Sequence, residues 1–218
     1  MSTDTDTNTN TNEIGKITRF VVATKNKNKI IEIKEILKDF PLEVLSMKDI
    51  GFEDEIEENG NTFEENALIK ARAIHKQTGG YVMADDSGIS IDALGGAPGI
   101  YSARFAGESA SYKEKVQLIW DMLDKVDAKD RSAKFVCAIA VVRPDGSEFT
   151  VRGECHGLIH DKIQGENGFG YDPVFFMPEF KMTTAQMTPE MKHSISHRGL
   201  ALRKMMEKLL QELDLAIG

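Results

Sequence analysis

The segment RFVVATKNKNKIIEIKEILKDFPLEVLSM, residues 19–47, changes its hydrophobic period twice, and this most narrows the folds open to the chain. Residues 19–23, RFVVA, read as a buried strand. Ile30, Ile33, Leu37 and Phe40 then recur at helical spacing until Pro41 stops them, and LEVLSM is extended again. Strand, loop, helix and strand in that order make a βαβ unit, and with it an α/β fold. Farther on, SAKFVCAIAVVR and SEFTVRGECHG flank the turn Pro144-Asp145-Gly146, so they pair as a hairpin. Parallel pairing at the start and antiparallel pairing here make the sheet mixed, not wholly parallel.

Other elements fill in around it. Thr62 and Glu65 form a T-x-x-E capping box that opens a helix running to about Thr78, where Gly79-Gly80 ends it. Phe63, Asn66, Ala67, Lys70 and Ile74 share one face of that helix, so Asn66 and Lys70 project together. YVMADD reads as a short strand ending in Asp85 and Asp86. GISIDAL is extended, and GGAPGIYSARFAG is a glycine-rich loop. Residues 111–126 read as a helix with Val116, Ile119, Trp120 and Leu123 inward. QGENGFGYDPVFF is a loop running into a short strand. Residues 196–213 form the last helix, with Leu200, Leu202, Met206, Leu209, Leu210 and Leu213 as its apolar positions. The polar tract of residues 1–16 cannot bury apolar surface and is expected to be a disordered tail, leaving 17–218 as one domain.

Composition excludes some functions. The net charge of −8 argues against general nucleic-acid binding, yet leaves room for a local basic cluster that takes a small phosphate ligand. No window approaches the roughly 18 apolar residues of a membrane span, and the N-terminus lacks the basic start and apolar core of a secretory signal. Cys137 and Cys155 have no CxxC spacing and read as two reduced thiols of a cytoplasmic protein, with a disulfide between neighbouring strands as the alternative.

Three stretches carry chemistry. In TKNKNK three lysines stand at the start of a helix, where the macrodipole disfavours cations unless an anion shares the site. Thr24, Asn26 and Lys29 add a hydroxyl, an amide and an ammonium at the carboxyl end of a strand, a usual ligand position in α/β sheets. A solvated basic turn is the other reading. In MADDSG two adjacent carboxylates close a buried strand; they suit Mg²⁺ binding and water activation, or the capping of a turn by one acid. The acidic loop 53–58 is a solvated charge run or, beside a metal, the source of a second ligand in Glu57 or Glu58. Finally GFGYDP and MKHSISHR bring aromatic rings together with Lys192, His197 and Arg198, a combination that suits a nucleobase.

Five ordered stretches, ATKNKNK, TFEENALIKA, ADDSGISIDALGGAPGIYSARFAG, GFGYDPVFF and SHRGLAL, resemble the inosine/xanthosine triphosphate pyrophosphatase family over nearly all of the chain beyond the tail. The resemblance implies an elongated, two-lobed α/β protein with a long mixed central sheet and a cleft between the lobes. It implies a homodimer that uses Mg²⁺ to hydrolyse deaminated purine nucleoside triphosphates (ITP, dITP, XTP) to the monophosphate and pyrophosphate. It places Thr24, Lys25, Asn26, Lys27, Asn28 and Lys29 in the triphosphate loop, and Asp86 as catalytic base and metal ligand. Glu57 falls at the second metal carboxylate, one residue from the alternative Glu58. Ser87 and Lys70 become substrate contacts. Phe169, Gly170, Tyr171 and Asp172 make the base-side loop, and Lys192, His197 and Arg198 the remaining nucleotide contacts. The chain departs from the family at Lys25, where glycine or histidine is common, and at Lys27-Asn28, where Pro-Gly is common. A phosphohydrolase with an aspartate nucleophile and a non-catalytic nucleotide-binding protein are the competing functions. The first usually spaces its acids as D-x-D, and the acidic pair argues against the second, because bare carboxylates beside a triphosphate repel it unless they hold a metal.

Overall fold

The computed structural model describes residues 19–40, 42–107 and 109–217, with side chains to Gln211. The tail, the helix stop at Pro41 and the inward position of Leu213 lie outside the described residues. Strand β1 (Arg19–Val22) lies parallel between β2 (Glu43–Ser46) and β3 (Tyr81–Ile91). From β3 onward the pairing is antiparallel, through β4 (Ser132–Val142) and β5 (Glu148–Ile159) to the short β6 (Phe175–Met177) and β7 (Met182–Thr183). The result is one seven-stranded mixed sheet in the order β2-β1-β3-β4-β5-β6-β7. The crossover helix α1 (Lys27–Ile36) joins β1 to β2, and the Pro144–Gly146 turn joins β4 to β5, as the hydrophobic periods require.

One strand is longer than the sequence suggests. YVMADD does not end at its aspartates: β3 continues through Ser87 and Gly88 to Ile91 because β4 pairs with it residue by residue, from Val82↔Val142 to Ile91↔Ala133. At 11 residues each, β3 and β4 extend about 35 Å and run through both lobes. The continuity also sends Asp85 and Asp86 to opposite faces, since side chains alternate along a strand.

Each face has its own cover. Helix α1 and the last helix α5 (His197–Ile217) bury Phe20, Val22, Met83, Cys137 and Ile139. Helix α2 (Phe63–Thr78) covers the opposite face, over Val21, Ala84 and Ala140. At the far end α3 (Tyr112–Lys125) packs Val116, Ile119 and Leu123 against Ile89, Tyr171 and Phe175, which makes the second lobe. Both cysteines are buried free thiols.

Local signals explain the helix ends. Thr62 Oγ1 accepts from the Glu65 N–H at 3.1 Å, but the Glu65 carboxylate returns to the N–H of Asn61 rather than Thr62, so the box is one residue wider than expected. A separate helix α4 (Pro189–Ile195) precedes α5, with Thr188 as its cap and Pro189 at its first turn. Its Thr188-Pro189-Glu190 start lies before the helix expected from the sequence over residues 196–213. Helix α5 crosses β5 where Gly153 leaves no room for a side chain. A Cβ there would meet the Ala201 nitrogen at 2.6 Å and the His197 carbonyl more closely still. Gly153→Ala is therefore expected to cost about 1–3 kcal/mol in urea unfolding, because helix backbone rather than a flexible side chain must yield. A change below about 0.5 kcal/mol would contradict this packing.

Candidate active site

The turn after β1 is closed more tightly than a helix start left free for an anion. Asn26 caps α1, its Oδ1 accepting from the N–H groups of Asn28 at 3.0 Å and Lys29 at 3.2 Å, while its own N–H reaches Thr24 Oγ1 at 3.2 Å. Two amides expected to face a ligand are thus already satisfied, and the positive character of this corner rests on side chains. The three lysines divide. Lys29 Nζ bonds Asp85 Oδ1 at 2.7 Å. Lys25 Nζ reaches across to Glu55 Oε1 at 2.6 Å and the Glu53 carbonyl at 3.0 Å, tying the acidic loop to the lysine turn. Lys27 is exposed and, with Asn28, stands outside the cleft described below.

The cleft, about 280 Å³ in volume, opens between the lobes where β1, β3 and α5 converge. Thr24, Lys25, Asn26, Lys29, Lys70, Asp86 and Ser87 line one end. Phe169, Gly170, Tyr171, Asp172, Lys192, His197 and Arg198 line the other. The two candidate acids of the acidic loop separate. Glu57 is exposed and does not line the cleft, whereas Glu58 does, because it is Glu58 whose carboxylate turns in to bond Lys70 Nζ at 2.7 Å.

On the α2 face, Lys70 sits between two acids. Its ammonium bonds Glu58 and, at 2.8 Å, Asp86 Oδ1; Asn66 Nδ2 lies 3.4 Å from Asp86 Oδ2. Burial works to lower the Lys70 pKa, but Asp86 and Glu58 outweigh it and hold the ammonium charged. The two acids fare differently. Burial raises Asp86 above the usual carboxylate value despite Lys70 and Lys29, with Glu58 adding repulsion. Glu58 is less enclosed, and Lys70 outweighs its burial and draws it below the usual value. Two carboxylates on one ammonium leave a surplus of negative charge that a cation would relieve. Among the described residues no group of three or more histidine, cysteine or acidic side chains is placed to hold a metal ion. Two carboxylate ligands with the remaining positions left to phosphate and water is the donor set that suits Mg²⁺.

On the opposite face the charges are buried deeper. Arg198 donates from Nε to Asp85 Oδ2 at 2.6 Å, from Nη1 to Glu32 Oε2 at 2.5 Å and from Nη2 to Ser87 Oγ at 3.0 Å. Lys192 Nζ joins Glu32 Oε1 and Asp172 Oδ2, both at 2.6 Å. Burial alone would lift Asp85, yet Arg198 and then Lys29 hold it well below the ordinary carboxylate range. Glu32 is lowered in the same way by Arg198 and Lys192. Both cations stand over the Phe169 ring, at 5.3 Å for Lys192 and 5.6 Å for Arg198. His197 stacks on Phe135 with centroids 4.8 Å apart; burial, then Arg198, drives its pKa well down and keeps the imidazole neutral. Its Nδ1 is buried with no hydrogen-bond partner among the described residues, a polar atom left for a ligand.

Residues 20–208 match the model of the Ham1 family. The chain belongs to the Ham1 family. A dITP/XTP pyrophosphatase of Caldanaerobacter subterraneus subsp. tengcongensis is 49% identical over 197 residues, covering 90% of this chain and 98% of that protein. One of Bacillus anthracis is 47% identical over 191 residues, covering 87% and 95%. Among solved structures, a HAM1 protein from Coxiella burnetii superposes with a TM-score of 0.81 at 40% identity, covering 89% of this chain and 99% of that one. The Staphylococcus aureus Ham1 protein gives 0.80 at 40% identity, covering 89% and 100%.

Within this Ham1 cleft, sequence reasoning missed three participants. Glu32 is buried at the centre of the Arg198–Lys192 network, one helical turn after Lys29; the K-x-x-E spacing was a usable signal, hidden because α1 was read for its apolar face alone. Asp85 emerged only as half of an acidic pair, since its separate role depends on the alternation of an uninterrupted strand. Tyr112, at the start of α3, meets Tyr171 edge-on at 5.4 Å and lines the cleft from the second lobe, a contact that no local pattern announces.

Proposed function

We propose that this Ham1 protein hydrolyses deaminated purine nucleoside triphosphates (ITP, dITP and XTP) to the monophosphate and pyrophosphate, with Mg²⁺, thereby cleansing the nucleotide pool. The observation that carries this reading is the division of one cleft into two charged ends. An acid–lysine centre at Asp86, Glu58 and Lys70 suits a triphosphate, and cations locked by buried carboxylates beside Phe169 suit an oxo-purine. The relatives named dITP/XTP pyrophosphatase support it. We further propose that residues 17–218 act as one domain, that the protein works as a homodimer, and that it is cytoplasmic. Among the described residues no helix is long and apolar enough to cross a membrane.

In this mechanism Thr24, Asn26 and Lys29 receive the phosphates. Asp86 accepts a proton from a water that attacks the α-phosphorus in line. The new P–O bond forms as the α–β bridge breaks, and the bridging oxygen leaves with the electron pair as pyrophosphate. Lys70 and Lys29 neutralise the charge that grows there. Asp86 and Glu58 would hold Mg²⁺, which supplies polarisation of the phosphate oxygens. At the other end Arg198 and Lys192 donate toward the 6-oxo oxygen. Adenine presents an amino donor there and leaves both cations mispaired, and a site built to hydrogen-bond discriminates by up to ~10⁴-fold on such terms.

Product analysis tests the reaction class: the account requires one pyrophosphate per ITP, whereas an aspartate-nucleophile enzyme would release inorganic phosphate. The carboxylate assignment has its own check. Glu58→Gln is expected to raise the Mg²⁺ concentration for half-maximal rate by about 10-fold or more, and Glu57→Gln to leave it within about 2-fold. The reverse order would return the second ligand to Glu57.

A further inference from the structure

Arg104 stands apart from every other cation of the cleft. Lys25, Lys29, Lys70, Lys192 and Arg198 each bond at least one carboxylate. Arg104 also lines the cleft, is exposed, and among the described residues has no carboxylate partner. Its guanidinium carbon stands 5.1 Å from the centroid of the Tyr101 ring.

The charge balance gives that freedom a meaning. The five paired cations are answered by six carboxylates: Glu32, Glu55, Glu58, Asp85, Asp86 and Asp172. Without Arg104 the protein's own groups would offer a triphosphate a site of net negative charge.

Position indicates which end Arg104 serves. Ile100, on the same loop, packs with Phe63, Val136 and Ala138. Ala138 and Val136 pair directly with Asp86 and Gly88 across the β3–β4 ladder, so this loop lies on the sheet face that carries Asp86. Gly88 permits the close approach, since a Cβ there would collide with the Gly99 carbonyl and Ser102 Oγ. Ser102 Oγ is held by the Ile89 N–H at 2.9 Å, and Lys115 Nζ bonds the Ala103 carbonyl at 2.5 Å, so the backbone beneath Arg104 is tied down while its side chain is exposed.

We propose that Arg104 is a further substrate-binding residue, leaving the Tyr101 ring to pair with the polyphosphate of the bound nucleotide. Its planar fork suits bidentate phosphate contact, and it gives up no buried ion pair in moving. This rests on the triphosphate-hydrolase reading above, so the test keeps the two separable.

Wild-type protein, Arg104→Ala and Arg104→Lys are assayed with ITP and Mg²⁺, alongside inhibition by inorganic tripolyphosphate and by inosine. Absence of turnover by the wild type would defeat the functional reading itself. If the wild type is active, Arg104→Ala is expected to raise KM for ITP and Ki for tripolyphosphate together, by about 10-fold or more, with Ki for inosine unchanged. Arg104→Lys should recover part of both, and thermal unfolding should be unaltered because the side chain is exposed. Equal tripolyphosphate inhibition of wild type and Arg104→Ala overturns the proposal, as does a rise confined to inosine, which would place Arg104 at the base.

Discussion

Replacing Asp86 with asparagine should lower pyrophosphate release from ITP by about 10³-fold, within the range that a positioned base contributes, and leave the protein at least as stable as before. The two halves of this result have separate causes. The amide keeps the shape of the carboxylate and can still accept from Lys70, whose ammonium retains Glu58. It cannot take a proton from water, and it offers a metal a poorer ligand. Stability follows from the raised pKa of Asp86. A carboxyl whose folded-state pKa lies above its unfolded value is penalised by folding when ionised, so at neutral pH its charge works against the native state. Removing that charge relieves the penalty. Activity near that of the wild type would remove Asp86 from the chemistry, and a large fall in thermal midpoint would show that it is mainly structural.

Arg198→Ala should be the most destabilising single change in the cleft, costing about 3–5 kcal/mol in chemical denaturation. The guanidinium is 1% exposed and holds Asp85, which is fully buried, as well as Glu32. Without it, among the described residues, Lys29 is the one cation left on Asp85, beside the Cys137 thiol, and Lys192 the one left on Glu32. The cost is that of stranding negative charge in a dry interior, so the double variant Arg198→Ala/Asp85→Asn should recover a substantial part of it. No recovery would mean that the loss comes from packing and not from charge. Selection should suffer in the same variant: the ratio of kcat/KM for ITP to that for ATP is expected to fall, because one of the two proposed donors to the oxo group is gone.

How far the sequence could be read is clearest at β3. Its neighbours were legible: the period change across residues 19–47 and the turn at Pro144–Gly146 together required a mixed sheet, and local rules sufficed for both. MADDSG was not. Asp, Ser and Gly are strand breakers by propensity, and the segment was read as a strand end. Eleven-residue pairing with β4 overrides that preference. Its consequence, two aspartates with separate partners on opposite faces, depends on tertiary context. The same limit explains Glu58. Which of two adjacent acids turns inward is set by an irregular loop that Lys25 ties down through Glu55, and no periodicity governs it. The lysine turn was half legible. Its basic character was plain, but its division into Lys29 on Asp85, Lys25 on the acidic loop and Lys27 in solvent is a property of the folded corner.

In the proposed function one cleft cuts triphosphates at one end and reads an oxo-purine at the other. The most direct test is the initial rate of pyrophosphate release from ITP, XTP, GTP, ATP and dTTP at matched concentration, with and without Mg²⁺. We predict Mg²⁺-dependent release from ITP and XTP, with kcat/KM exceeding that for ATP by a factor approaching ~10⁴. Equal rates on all five nucleotides, or release of phosphate in place of pyrophosphate, would contradict it.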